Sequence, residues 1–159
     1  MANIQKKYVG LLGGSFDPAH KGHLGISKIA IKKLKLKKVY WVITRKNPFK
    51  RNTFYSLNKR IKYAKKISRL QKKIQAIHLE NIVKSSRTID VINYFIKKRK
   101  IKNIYFIIGS DNLIRFHKWK SWKKIVKLVK LIVFSRKGYD RKGMKSIVVK
   151  NFKNNIIFI

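Results

Sequence analysis

The run Tyr8-Val9-Gly10-Leu11-Leu12 stops at Gly13-Gly14, and from about His20 to Lys33 apolar residues recur at helical spacing. A short apolar segment closed by paired glycines reads as a buried strand running into a turn. Leu24, Ile26, Ile29, Ala30, Ile31 and Leu34 then form a broad stripe that leaves Lys28, Lys32 and Lys33 for solvent, the pattern of an amphipathic helix. Strand, glycine loop and helix in that order set the theme for the chain.

The alternation continues. Val39 to Ile43 is a second strand, rich in β-branched and aromatic residues, that ends in a polar loop containing Asn47-Pro48. Tyr55 to Leu70 is helical, with Leu57, Ile61, Ala64, Ile67 and Leu70 on one face, and Ile74 to Leu79 is a weaker strand. Ser85 and Ser86 offer N-caps for a helix over Thr88 to Arg99, whose first turn holds Asp90 where the helix dipole favours a negative charge. Ile104 to Ile108 is the clearest strand and is closed by Gly109-Ser110-Asp111. Short helices around Leu113 and from Trp122 to Lys130 precede a strand from Leu131 to Phe134. Arg136 to Asn155 reads as a polar, glycine-containing stretch, and the chain stops on the strand-like Ile156 to Ile159. The expected fold is α/β: a Rossmann-like, doubly wound parallel sheet forming a single domain over residues 1–159, with ligands beyond the C-terminal strand ends.

Composition narrows the function. The 159 residues include 42 Lys plus Arg against 5 Asp plus Glu, a formal charge of +37, yet 45% are hydrophobic, enough for a packed core and against intrinsic disorder. Lys is spread through nearly every segment instead of gathering in one arm. With 33 Lys, 24 Ile and 11 Asn, all types with A- and T-rich codons, the excess follows from base composition better than from a dedicated nucleic-acid surface. Binding to nucleic acid is expected only as a non-specific electrostatic effect. The longest uncharged stretch, Tyr8 to Phe16, is far too short for a membrane span, and glycines interrupt it before a signal-peptide core is complete. The expected location is the cytoplasm. No Cys is present and the four His are scattered, so no protein-held metal site is expected.

The segment Gly13-Gly14-Ser15-Phe16-Asp17-Pro18-Ala19-His20-Lys21-Gly22-His23 carries the chemistry. Glycines after a strand let backbone amides approach a phosphate, and the positive end of the following helix faces the same space. His20 and His23, three residues apart at the helix start, share a face and can both donate to phosphate oxygens. Where acids are so scarce, Asp17, Glu80, Asp90, Asp111 and Asp140 each merit a structural account.

This segment resembles the signature of the nucleotidyltransferases related to class I aminoacyl-tRNA synthetases, and within them the nicotinate-nucleotide adenylyltransferases. Asn47-Pro48-Phe49-Lys50, Arg87-Thr88-Ile89-Asp90, Ile108 to Leu113, Phe116-His117-Lys118-Trp119 and Ser135 to Tyr139 are similar to further blocks of that family in the same order. The resemblance implies transfer of AMP from ATP to nicotinate mononucleotide, with Mg²⁺ accompanying the ATP, in one in-line displacement without a covalent enzyme intermediate. It assigns His20 and His23 to catalysis. It assigns Gly13, Gly14, Ser15, Phe16, Lys50, Gly109, Asp111 and Arg136 to ATP and its phosphates, and Thr88 and Trp119 to the nicotinate nucleotide. The chain departs from the family in three places: Arg87 replaces an aromatic, Lys137 stands where a Pro is common, and the Ser/Thr/Arg block that normally follows the last strand is missing, from which weak, salt-dependent ATP binding is expected. The pantetheine-phosphate adenylyltransferases share the glycine loop but carry Thr at the position of His20. A basic module stacking nucleic-acid bases on Trp41, Trp119 and Trp122, or an inactive remnant of the enzyme, are the other readings.

Overall fold

The computed structural model describes residues 8–47 and 52–159. The Cα positions cluster into two compact units, residues 1–78 with 101–104 and residues 79–100 with 105–159.

In the first unit, β1 (Val9–Gly14), β2 (Lys38–Ile43) and β3 (Ile74–Ile77) pair in parallel in the order β3-β2-β1. Val9 lies opposite Lys38, and Val39 opposite Ile74. Val39 to Ile43 are all buried, so β2 reads as an unbroken apolar run because both of its faces are covered. Parallel neighbours need a crossover, and α1 (Lys21–Leu34) and α2 (Leu57–Ser68) supply it. α1 stops at Lys35, which takes the left-handed conformation while the Leu36 amide turns back to the Ile31 carbonyl. Lys32 and Lys33 in its last turn suit the negative end of the helix dipole. The expected apolar face of α2 needs correction. Its deepest line is Arg60, Ala64 and Ser68, one turn apart, while Leu57, Ile61 and Ile67 are half-buried and Leu70 lies beyond the helix, 72% exposed. Arg60 takes the inner position because backbone carbonyls await its guanidinium, as described below.

The second unit begins with a single turn, α3 (Glu80–Val83), and α4 (Thr88–Lys97). No side chain caps α4 directly: its cap residue is Arg87, whose amide donates to the Ser85 hydroxyl while that hydroxyl donates to Asp90 at 2.6 Å. β4 (Ile104–Gly109), β5 (Lys130–Phe134) and β6 (Ile156–Phe158) are parallel in the order β4-β5-β6. Ile108 faces Val133, and Leu131 faces Ile156. Between β4 and β5 lie α5 (Ser110–Arg115), a 3-10 turn over Phe116–Lys118, and α6 (Trp122–Leu128). The polar stretch after Arg136 is not irregular: it holds α7 (Asp140–Met144) and α8 (Ile147–Phe152), the latter capped by the Ser146 hydroxyl. Their shortness hides the helical period, since one and a half turns show only one or two inward residues, Val148 and Val149 in α8. Six parallel strands joined through helices make the expected Rossmann-like α/β fold.

Candidate active site

In the first unit the site is built around the start of α1. His20 is the N-cap, in extended conformation, and its Nδ1 accepts the Gly22 amide at 3.1 Å. His23, at the third helical position, returns the favour: its Nδ1 accepts the His20 amide at 3.1 Å. This is a capping box made of two imidazoles where Ser or Thr and Glu usually serve. Because each Nδ1 is an acceptor, each neutral ring carries its proton on Nε2. The two rings lie 4.0 Å apart between centroids. Gly22 makes this arrangement feasible, for a Cβ there would stand 2.8 Å from Cε1 of His20 and 2.9 Å from its Nδ1.

Behind the histidines lies an aromatic stack. Phe16, 2% exposed, packs its ring against His23 at 4.6 Å and Trp41 at 5.3 Å. It does so with φ at 47°, a left-handed conformation that an aromatic residue adopts only when its surroundings hold it there. Trp41 is fully buried and its indole N–H donates to the Ser27 hydroxyl at 2.8 Å, which donates in turn to the His23 carbonyl at 2.8 Å. Trp41 therefore offers no stacking platform for a nucleic-acid base. Asp17 accepts the amides of Phe54 and Tyr55, the latter at 2.8 Å, and so ties the glycine loop to the approach to α2. Arg60 holds the Ser15, Thr44, Arg45 and Tyr55 carbonyls. Lys50 lies outside the described residues.

The second unit presents another group of site candidates at the end of β4. Gly109 is the N-cap of α5, and Asp111 stands in its first turn without a side-chain capping bond. Asp111 Oδ2 pairs with Arg136 Nη1 at 2.8 Å, while Oδ1 is buried and meets no hydrogen-bond partner among the described residues. A buried carboxylate oxygen left without a donor is an exception among buried polar groups. A Cβ on Gly109 would lie 2.5 Å from it. Arg136 is held through its backbone as well: its amide donates to the Ser110 hydroxyl and to Asp140 Oδ1, each at 3.0 Å. The Ser135 hydroxyl at 2.7 Å, then that of Ser110 and the Arg136 amide, hold the Asp140 carboxyl below its ordinary range. Trp119 is half-buried, with one contact stacked on Phe116 at 4.8 Å and an edge contact to Phe106 at 6.0 Å. Thr88 is half-buried at the first position of α4.

The scarcity of acids is informative: Asp17, Asp90 and Asp140 fasten turns or helix starts, and Asp111 pairs with the Arg136 side chain. Arg60 and the Trp41–Ser27 bond went unseen. Their signals were an Arg aligned with Ala64 and Ser68 on the small-residue line of α2, and a lone Ser on an otherwise apolar helix face. Among the described residues no group of three or more His, Asp or Glu gathers to hold a metal ion, and no helix is long and apolar enough to cross a membrane.

Comparison with known proteins places this geometry. A family model described as cytidylyltransferase-like matches residues 11–157. A Pelagibacter ubique protein named "Probable nicotinate-nucleotide adenylyltransferase" is 51% identical over 158 residues, covering 99% of this chain and 87% of its own length. A Bradyrhizobium protein of the same name is 37% identical over 113 residues, or 70% of this chain and 58% of the relative. The chain thus spans most of the first relative and under two thirds of the second. The fold matches the Plasmodium falciparum nicotinic acid mononucleotide adenylyltransferase complexed with NaAD, with a TM-score of 0.73 at 21% identity over 96% of this chain and 75% of that one. A Vibrio parahaemolyticus structure described as a "Putative Nicotinate-nucleotide Adenylyltransferase" gives 0.64 at 20% identity, covering 80% and 76%. The chain belongs to the cytidylyltransferase-like family, and within it to the nicotinate-nucleotide adenylyltransferases.

Proposed function

We propose that this protein transfers AMP from ATP to nicotinate mononucleotide, forming deamido-NAD and pyrophosphate in NAD biosynthesis. A phosphate oxygen of the mononucleotide attacks the α-phosphorus of ATP. The bond to the β-phosphate breaks, and its electron pair leaves with pyrophosphate. No side chain needs to act as nucleophile; catalysis comes from holding the reactants in line and neutralising charge that develops on the phosphoryl oxygens.

The observation that carries this reading is the interlocked His20–His23 pair. Each ring is oriented by a backbone amide on Nδ1 and keeps a donor on Nε2, the preorganised arrangement that transition-state stabilisation requires. Gly13, Gly14, Ser15 and Phe16 offer backbone donors to the triphosphate, with Lys50 contributing a further charge. Asp111 Oδ1, which meets no donor among the described residues, accepts from the ribose of ATP beside Gly109, and Arg136 meets its phosphates. Thr88 and Trp119 take the nicotinate nucleotide, the indole face stacking on the pyridine ring. Mg²⁺ would accompany the ATP and supply neutralising charge to its phosphates; among the described residues no group of three or more His, Asp or Glu gathers to hold an ion of its own. The cytoplasm, where ATP is held, is the location this chemistry calls for.

The test is pyrophosphate release from ATP and Mg²⁺ with nicotinate mononucleotide, run beside nicotinamide mononucleotide and pantetheine phosphate. Release with the nicotinate nucleotide in preference to the others is expected. Release only with pantetheine phosphate would assign the chain to the sister activity, and none with any acceptor would refute adenylyl transfer.

A further inference from the structure

We propose that Arg60 is a positioning residue for the glycine loop: by gripping the Ser15 carbonyl from the buried side, it sets the direction in which the loop offers its amides to the triphosphate. The inference rests on the adenylyl-transfer reading above.

Arg60 is 2% exposed on the inner line of α2. Nη1 donates to the carbonyls of Ser15 at 2.6 Å and Thr44 at 2.8 Å, Nη2 to Arg45 at 2.9 Å, and Nε to Tyr55 at 3.1 Å. These acceptors belong to three segments: the loop after β1, the loop after β2 and the turn before α2. A guanidinium is planar with its donors in a fixed fork, so seating it fixes the three segments against one another. An apolar side chain of similar volume would take the donor away from these carbonyls, so the bonds that stabilise the unit are the same ones that orient the loop, and the test must separate the two effects.

The direction follows from peptide geometry. Across a trans peptide the carbonyl of one residue and the amide of the next point opposite ways, and the Ser15–Phe16 bond is trans. With the Ser15 oxygen drawn to Arg60, the Phe16 amide faces away from the guanidinium. The Gly14 carbonyl is held by the Thr44 amide at 2.9 Å and hydroxyl at 3.3 Å, which turns the Ser15 amide in the same manner. Phe16 sits in its disfavoured left-handed conformation between these two constraints and its ring contacts with His23 and Trp41. Releasing the Ser15 carbonyl would let that peptide rotate toward ordinary backbone, swinging an amide away from the triphosphate. Because Arg60 touches neither reactant in this arrangement, its effect should appear on ATP and spare the second substrate.

The test uses the full chain with Arg60→Lys, Arg60→Gln and the control Ala64→Gly. A Lys ammonium radiates its donors from one atom and cannot span the four carbonyls. Gln is neutral and keeps the test open should a buried Lys unfold the protein. Ala64, buried one turn along the same helix, loosens α2 when changed to Gly without touching the carbonyls. We expect KM for ATP to rise about tenfold or more in the Arg60 variants, with KM for nicotinate mononucleotide changing less than roughly twofold, and no such split in Ala64→Gly. Unchanged KM values, an equal rise for both substrates, or the same ATP effect in Ala64→Gly would overturn the proposal. If the unmodified protein releases no pyrophosphate, the functional reading falls by itself. Hydrogen exchange at Ser15 and Phe16 then decides: faster in the Arg60 variants than in Ala64→Gly upholds the positioning role, equal rates refute it.

Discussion

A methyl group on Gly22 would strike the His20 ring, and this contact links the sequence motif to its chemistry at the scale of single residues. Gly22→Ala should push the imidazole off its cap, lowering kcat by about two orders of magnitude, the usual loss of one transition-state donor, and lowering the melting temperature modestly. Retention of near-normal kcat would show that His20 does not act from this position. The histidines have two separable duties. His20→Ala should lose both, costing about 0.5–2 kcal/mol of cap stability along with two to three orders in kcat. His20→Asn keeps a capping acceptor and should lose only the turnover. If Asn restored activity as well as melting temperature, capping would be the ring's whole contribution. Sequence spacing put both rings at the helix start and made them donors. It could not show that they cap the helix themselves, because capping patterns are learned from Ser, Thr, Asp and Asn. Trp119 was legible as a flat platform: Trp119→Ala should raise KM for the nicotinate nucleotide far more than for ATP, whereas equal losses with a lower melting temperature would make it a packing residue on Phe116.

Two connections fasten whole elements. Ser27 joins α1 to β2 through the Trp41 indole, in a place where both groups are buried. Ser27→Ala strands the indole donor and should cost about 1–3 kcal/mol. Adding Trp41→Phe should recover part of that loss, and simple additivity of the two would deny the coupling. In the second unit Asp140 ties the end of β5 to α7 through Ser135 and the Arg136 amide. Its folded pKa lies below the ordinary carboxylate range, so its stabilisation is complete above that range and is lost as pH falls through the lower folded value. Asp140→Asn should therefore melt below the unmodified protein at neutral pH, and the gap should close under acid conditions; a gap that widened as pH fell would contradict the bonding seen. At this scale the strands were readable because apolar runs of three to six residues bounded by glycine or polar loops have few other uses. α7 and α8 were not, because neither completes two turns. The inner face of α2 was misread because a buried Arg breaks the apolar pattern for a reason that lies in carbonyls distant in sequence.

For the whole molecule, a charge of +37 on 159 residues makes like-charge repulsion a standing cost of compactness. The melting temperature should rise by several degrees as salt goes from low ionic strength to about 0.3 M, where screening reaches only a few ångströms. A fall would mean that favourable charge pairs outweigh the repulsion. The same salt should abolish any retention on nucleic acid, since Trp41 is fully buried, which removes one of the three stacking platforms that a base-reading surface would need. The two-histidine cap also has a practical use. Of the four letters His20-Lys21-Gly22-His23, three are bound to one another by ring, amide and missing Cβ, while the exposed Lys21 is left out of that mutual dependence. The protein contains no cysteine. Lys21→Cys would thus install a single thiol at the rim of the helix start, and a fluorophore attached there should change its emission on addition of ATP under the proposed filling of the glycine loop, with no competing thiol anywhere in the chain.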